Sequence, residues 1–140
     1  MRGSTKKRVL VITASIAAIP LLASALYAGF VVFGPVVDSY RHQLPFDAEN
    51  WKSRSLDDGI MWPTRLRMAD DLVRTQRLHR LSRPEVERLL GPPDVTAKFK
   101  QWDLVYHLGP ERGLIRMDSE WLVVRLAADG RVSEHTIVRD

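Results

Sequence analysis

Twenty-nine consecutive residues without a charge, Val9 to Val37, set the first part of this chain apart from the rest. Read as one helix at about 1.5 Å per residue, the run exceeds the ~30 Å hydrocarbon core of a bilayer and spans it with tilt. Helices buried in globular cores are far shorter, so the pattern predicts a transmembrane segment over residues 9–37. Pro20 would kink that helix, which a membrane tolerates better than water does.

Beyond Asp38 the pattern changes. Residues 38–61 mix Pro45, Gly59, polar groups and isolated aromatics with neither a helical nor an alternating period, and they read as a linker. Phe46 and Trp51 are large enough to dock onto a neighbouring core. From Pro63 the apolar positions Trp62, Leu66, Ala69, Val73, Leu78 and Leu81 fall near one helical stripe, with Leu72 beside it. Pro63 suits a first helical turn, where its missing N–H costs nothing. Asp70 precedes Arg74 by four, the favourable order for a surface pair, and the many Arg here read as a solvated face.

The stretch LSRPEVERLLGPPD marks the next element most clearly. Ser82 and Glu85 form a capping box, and Leu81 and Val86 occupy the two positions of a hydrophobic staple. Pro84 is tolerated in the first turn, Gly91 supplies a left-handed terminus, and Pro92 prevents continuation. Only about two turns long, this helix is held by packing of Val86, Leu89 and Leu90.

After Asp94 the period drops to two. Trp102, Leu104, Tyr106 and Leu108 alternate with Asp103, Val105 and His107, as in a half-buried strand. Residues 121–126, WLVVRL, make a second strand and residues 131–138 a third, joined through Ala128-Asp129-Gly130, a strong hairpin signal. Two registers compete. A two-residue turn pairs Arg125 with Glu134 and Leu122 with Ile137, whereas a three-residue loop with a Gly130 bulge sets Leu126 opposite Val132, a match of apolar side chains that favours it slightly. Either way the class is α+β, two helices on a three-stranded antiparallel meander over residues 62–140.

Charge sharpens the topology. The formal charge is +4, and Arg2, Lys6, Lys7 and Arg8 carry the whole excess. The remainder is neutral overall, which argues against nucleic acid as a partner. The same four charges place residues 1–8 in the cytoplasm by the positive-inside rule, and the chain beyond the span on the outer side. Ala23-Ser24-Ala25 also offers a signal-peptidase site, but cleavage there would leave LYAGFVVFGPVV as an exposed apolar tail, so a retained anchor is the favoured reading. The expected location is the inner membrane, single-pass. Without cysteine there is no disulfide, thiolate metal site, cysteine nucleophile or lipid-modified N-terminal cysteine.

The order of these signals, from Ser82-Arg83-Pro84-Glu85-Val86 through Leu89-Leu90-Gly91-Pro92-Pro93, Trp102 to Gly109, Trp121 to Leu126 and Asp129-Gly130-Arg131-Val132, resembles the SmpA/OmlA or BamE-like domain. That domain is itself similar to the repeat of β-lactamase inhibitor proteins. The resemblance covers roughly residues 62–139. It implies an αα-βββ fold in the bacterial cell envelope, no cofactor, no catalysis, and use as a binding or assembly module. BamE itself is held by a lipidated cysteine, here replaced by a hydrophobic helix, so a role in outer-membrane assembly does not transfer.

Two stretches could carry function. The loop GPERGLIRMDSEW gathers Glu111, Arg112, Arg116, Asp118 and Glu120. In an extended chain Asp118 and Glu120 share a face at about 7 Å, near the spacing of a carboxylate pair, though ion pairs with Arg112 and Arg116 are the simpler reading. Gly113 would permit the turn. The histidines at 42, 79, 107 and 135 lack metal-site spacing, and the second strand would separate His107 from His135. On the sheet face away from the helices, Val105, Trp121 and Val123 could form an apolar patch for an envelope protein partner, unless Trp51 or Phe46 covers it. Edge pairing on the last strand is discouraged by Glu134, Arg139 and Asp140. The favoured function is a non-enzymatic interaction module with no small-molecule substrate. The alternative is a small hydrolase or ligand-binding domain using Glu111, Asp118 and Glu120.

Overall fold

A computed structural model describes residues 2–53, 60–113 and 116–140, with side chains from residue 18 onward. Residues 54–59 of the expected linker, Gly59 among them, and the side chains of the basic flank lie outside the described residues. The chain divides into two units, residues 1–37 and 38–140.

Helix α1 runs Arg2–His42, with Pro20 and Pro35 inside it. Its portion Ala18–His42 is long and apolar enough to cross a membrane, and no residue in its most apolar window is buried. Backbone hydrogen bonds close within a helix, which is why this is a form an apolar run can take in lipid.

The second unit contains α2 (Ala48–Lys52), α3 (Thr64–Arg74), α4 (Arg83–Leu90), β1 (Leu104–Pro110), β2 (Ser119–Leu126) and β3 (Val132–Arg139). The three strands form one antiparallel sheet in the order β1-β2-β3. The expected α+β class is found, with one helix more than the two anticipated.

That extra helix corrects the linker. Asp47 caps α2 by accepting the Asn50 N–H at 2.9 Å, and Trp51 is fully buried in the core with Leu66, Leu72, Leu90 and Tyr106. The segment is stitched to α3 through its backbone: Leu44 N–H to the Arg67 carbonyl, and Phe46 N–H to the Asp71 carboxylate, both 2.9 Å. The Phe46 bond is the main cause that lowers the Asp71 pKa; partial desolvation opposes it, and Arg74 and Arg77 assist. Arg65 and Arg67, read as solvated, donate to the carbonyls of Trp51 and His42. Asp70 does not pair with Arg74, which binds Asp71 instead.

α3 is also shorter than its stripe. It ends at Arg74, and the turns after it hold Gln76 and Arg80 at φ +53 and +61. Leu78 still reaches the core, and Met68, off the stripe, is buried too. α4 is bounded as its sequence requires. The Glu85 carboxylate receives the Ser82 N–H at 2.7 Å and the Ser82 hydroxyl at 2.6 Å, and these bonds lower its pKa. Gly91 has φ +82 with ψ −177, an extended glycine conformation rather than the left-handed helical one. The Tyr106 hydroxyl donates to its carbonyl at 3.2 Å, tying β1 to the end of α4.

The β2–β3 hairpin joins the two competing registers. Leu122 faces Ile137 and Arg125 faces Glu134, while Leu126 faces Val132 across a register shift that leaves Ser133 as the extra residue. A bulge lets the ion pair and the apolar match coexist. Gly130, at φ +74, closes the turn with its N–H on the Ala127 carbonyl.

Candidate functional site

The loop between β1 and β2 is drawn together by a backbone bond from Glu111 N–H to the Asp118 carbonyl, 2.8 Å. Among its described residues the positive φ belongs to Arg116, +48, and not to Gly113. β2 starts at Ser119, and strand alternation then sends Glu120 toward the helices and Trp121 to the opposite face.

Glu120 is therefore interior, 1% exposed. Its carboxylate receives the Arg112 N–H at 3.0 Å and the Arg112 Nε at 2.9 Å, and Arg112 Nη2 lies 2.6 Å away. Arg112 also pairs with Asp70 of α3. Arg139, near the end of β3, meets Glu111 at 2.6 Å and Glu120 at 3.6 Å. Five charged groups from α3, the loop and two strands thus form one connected network. Burial alone would draw the Arg112 pKa down, but hydrogen bonds and charges of Glu120 and Asp70 outweigh it, and the net shift is upward.

Asp118 is exposed, in contrast to Glu120, so the two do not form the carboxylate pair that their spacing allowed as the alternative reading. It lines a surface groove of about 620 Å³ with Lys98, Phe99, Met117, Ser119 and Asp140. Lys98 pairs with Asp140 there, and the Asp140 carboxylate accepts the Ser119 N–H at 2.8 Å. Arg116 points elsewhere: its Nη1 donates to the Met61 carbonyl at 2.8 Å, and its guanidinium lies 4.8 Å from the Trp62 ring centre. The three strand-end charges expected to guard the edge, Glu134, Arg139 and Asp140, are all in ion pairs, Glu134 with Arg125 at 3.2 Å.

The sheet face away from the helices is not the open patch expected. Val105 and Val123 face each other across β1 and β2, 7% and 0% exposed, and cannot present a docking surface. Trp121 is only half-buried, with Phe99 at 5.9 Å, the His107 ring at 4.7 Å and the Lys98 ammonium at 5.8 Å from its ring. Trp102 lies against Arg125 on this side, 4.4 Å from guanidinium carbon to ring centre. Residues 98–102, approaching β1, thus supply the cover considered for Trp51 or Phe46. The only forewarning in the sequence was the aromatic pair in FKQW.

His107 packs on Trp121, while His135 lies beneath α3 on the other face, so no histidine pair forms across the sheet. Among the described residues no group of three His, Cys, Asp or Glu is arranged to hold a metal ion. Asp70, Arg139 and the Phe99 cover were missed from sequence because each comes from a distant segment.

The chain matches no family model, no curated protein and no solved structure.

Proposed function

We propose that this protein is a non-enzymatic, membrane-anchored component of the bacterial cell envelope, whose second unit lies outside the inner membrane as an interaction or assembly module. The observation that carries this reading is the use of the charged loop. Glu120 and Arg112 hold α3, the β1–β2 loop and β3 together, so the groups best placed to look catalytic are engaged in architecture. The uncharged run of α1 with its basic flank supports the anchor and its orientation. The helices followed by a three-stranded meander support the resemblance to the SmpA/OmlA or BamE-like domain.

The hydrolase alternative needs Glu111, Asp118 and Glu120 to converge. Glu120 is interior and Asp118 faces a groove, which favours the module. Glu111→Gln with Asp118→Asn tests this without disturbing Glu120: binding to partners crosslinked in intact membranes should persist, and loss of a hydrolytic activity in the folded double variant would favour the enzyme. Orientation is tested by protease treatment of spheroplasts. The second unit should be digested, and its survival with an intact membrane would reverse the topology.

A further inference from the structure

The last turn of α1 carries a junction that the charged network does not use. The His42 ring stacks on Trp62 with centroids 4.3 Å apart and planes within 6°. Arg116 lies on the same indole, donates to the Met61 carbonyl and faces Asp38 at 3.7 Å. Two segments about fifty residues apart in sequence are thereby fastened to residues 38–42, and Arg116 takes up an unfavourable positive φ in the process.

The side chains beside these fastened positions are uncovered. Ile60 is 91% exposed and Met117 83%, and Met61 and Tyr40 are exposed as well. Arg41, in the last turn of α1, is exposed too. Apolar side chains uncovered together mark a contact surface. Tyr and Trp combined with Arg is the composition of a bilayer–water boundary, where rings sit at headgroup level and long cations reach phosphate.

Chain connectivity selects the occupant. Val36 and Val37 close the uncharged run and Asp38 comes directly after, so any side chain held on Asp38 or His42 is near the point where the apolar run ends. We propose that Arg41, Ile60, Met61 and Met117 form a lipid-contact patch in the phospholipid headgroup layer, with Arg41 meeting phosphate and the others the upper acyl chains, and that Tyr40 meets lipid at the same depth from the opposite side of the helix. The proposal rests on the membrane reading above and adds that the second unit itself touches lipid.

The chain lacks cysteine, so a single introduced cysteine carries a unique fluorophore. The full chain, in phosphatidylcholine vesicles, is labelled at Met117→Cys, at Leu22→Cys within α1, or at Ala128→Cys. β2 runs from Ser119 to Leu126, about 23 Å at the strand rise, so the hairpin turn at Ala128 is a distant control on the same sheet. Nitroxide-bearing lipids are the quenchers. A headgroup nitroxide should remove most of the Met117→Cys fluorescence and leave Ala128→Cys bright, while an acyl-chain nitroxide quenches Leu22→Cys. Quenching at Leu22→Cys without quenching at Met117→Cys overturns the patch and leaves the anchor standing. Absence of quenching at Leu22→Cys overturns both. Oxidant-induced disulfide dimers of unlabelled Met117→Cys, with no headgroup quenching, would make this face a contact between copies and also overturn the proposal.

Discussion

Arg112 and Glu120 are paired in the interior of the second unit, Nη2 to Oε2 2.6 Å, with side chains 14% and 1% exposed. Removing Glu120 takes the buried carboxylate from the Arg112 guanidinium and leaves it Asp70, so the cost approaches but does not exceed the ~3–5 kcal/mol of a buried pair broken outright. Glu120→Ala should lose stability on that scale in denaturant unfolding of the full chain in detergent. The double change Arg112→Met with Glu120→Leu should recover much of it, because apolar side chains of similar size remove both charges at once.

Two glycines separate backbone strain from crowding. At Gly91 an added Cβ would meet only Lys52 Cγ at 3.8 Å, so Gly91→Ala should cost the conformational penalty alone, about 1–3 kcal/mol. At Gly109, φ +143, the same Cβ would lie 2.7 Å from Pro63 Cγ at the start of α3. Gly109→Ala should therefore lower the unfolding midpoint further than Gly91→Ala. Equal losses would show that the Pro63 contact relaxes freely.

His135 gives the domain a pH response. Burial lowers its pKa from 6.5, the nearby His79 lowers it further, and a hydrogen bond with the Leu72 backbone opposes them. Among the described residues its buried Nε2 has no hydrogen-bond partner. The unfolded chain thus takes up the proton first as pH falls, so this contribution is intact above about pH 6.5 and is lost below it. Thermal melts from pH 8 to pH 5 should show a decline that His135→Phe reduces, and an unchanged slope would assign the decline to other groups.

Trp51 tests where the folded unit begins. It is 0% exposed, its indole lies against Phe46 with centroids 5.7 Å apart, and the Arg65 guanidinium approaches its ring at 5.5 Å. Trp51→Ala should cost about 3–5 kcal/mol, measured by denaturant unfolding. A loss below about 1 kcal/mol, the scale of ordinary surface change, would return residues 38–53 to the status of a linker.

Much of the architecture is written in short-range pattern. The uncharged run produces α1, the Ser82–Glu85 spacing produces the start of α4, and the alternation from Leu104 produces β1. Each depends on residues a few positions apart, whose backbone geometry brings them together whatever the rest of the chain does. The β1–β2 loop was also legible as the place where charge concentrates.

Its meaning was not. Asp118 and Glu120 are equivalent on paper, and only the start of β2 at Ser119 decides that one carboxylate faces solvent and the other the core. The partners of Arg112 include Asp70, 42 positions away, and the rings packed on Trp121 and Arg125 come from residues 99 and 102, before β1. Trp51 was legible as a side chain large enough to dock, but only the meeting of α2 with α3 and α4 decided where it does. Sequence by itself determined the anchor-like helix, the caps and the strand periods, because these are local. Tertiary structure alone decided which charges are buried and which apolar face is covered, because burial is a property of the surfaces that meet.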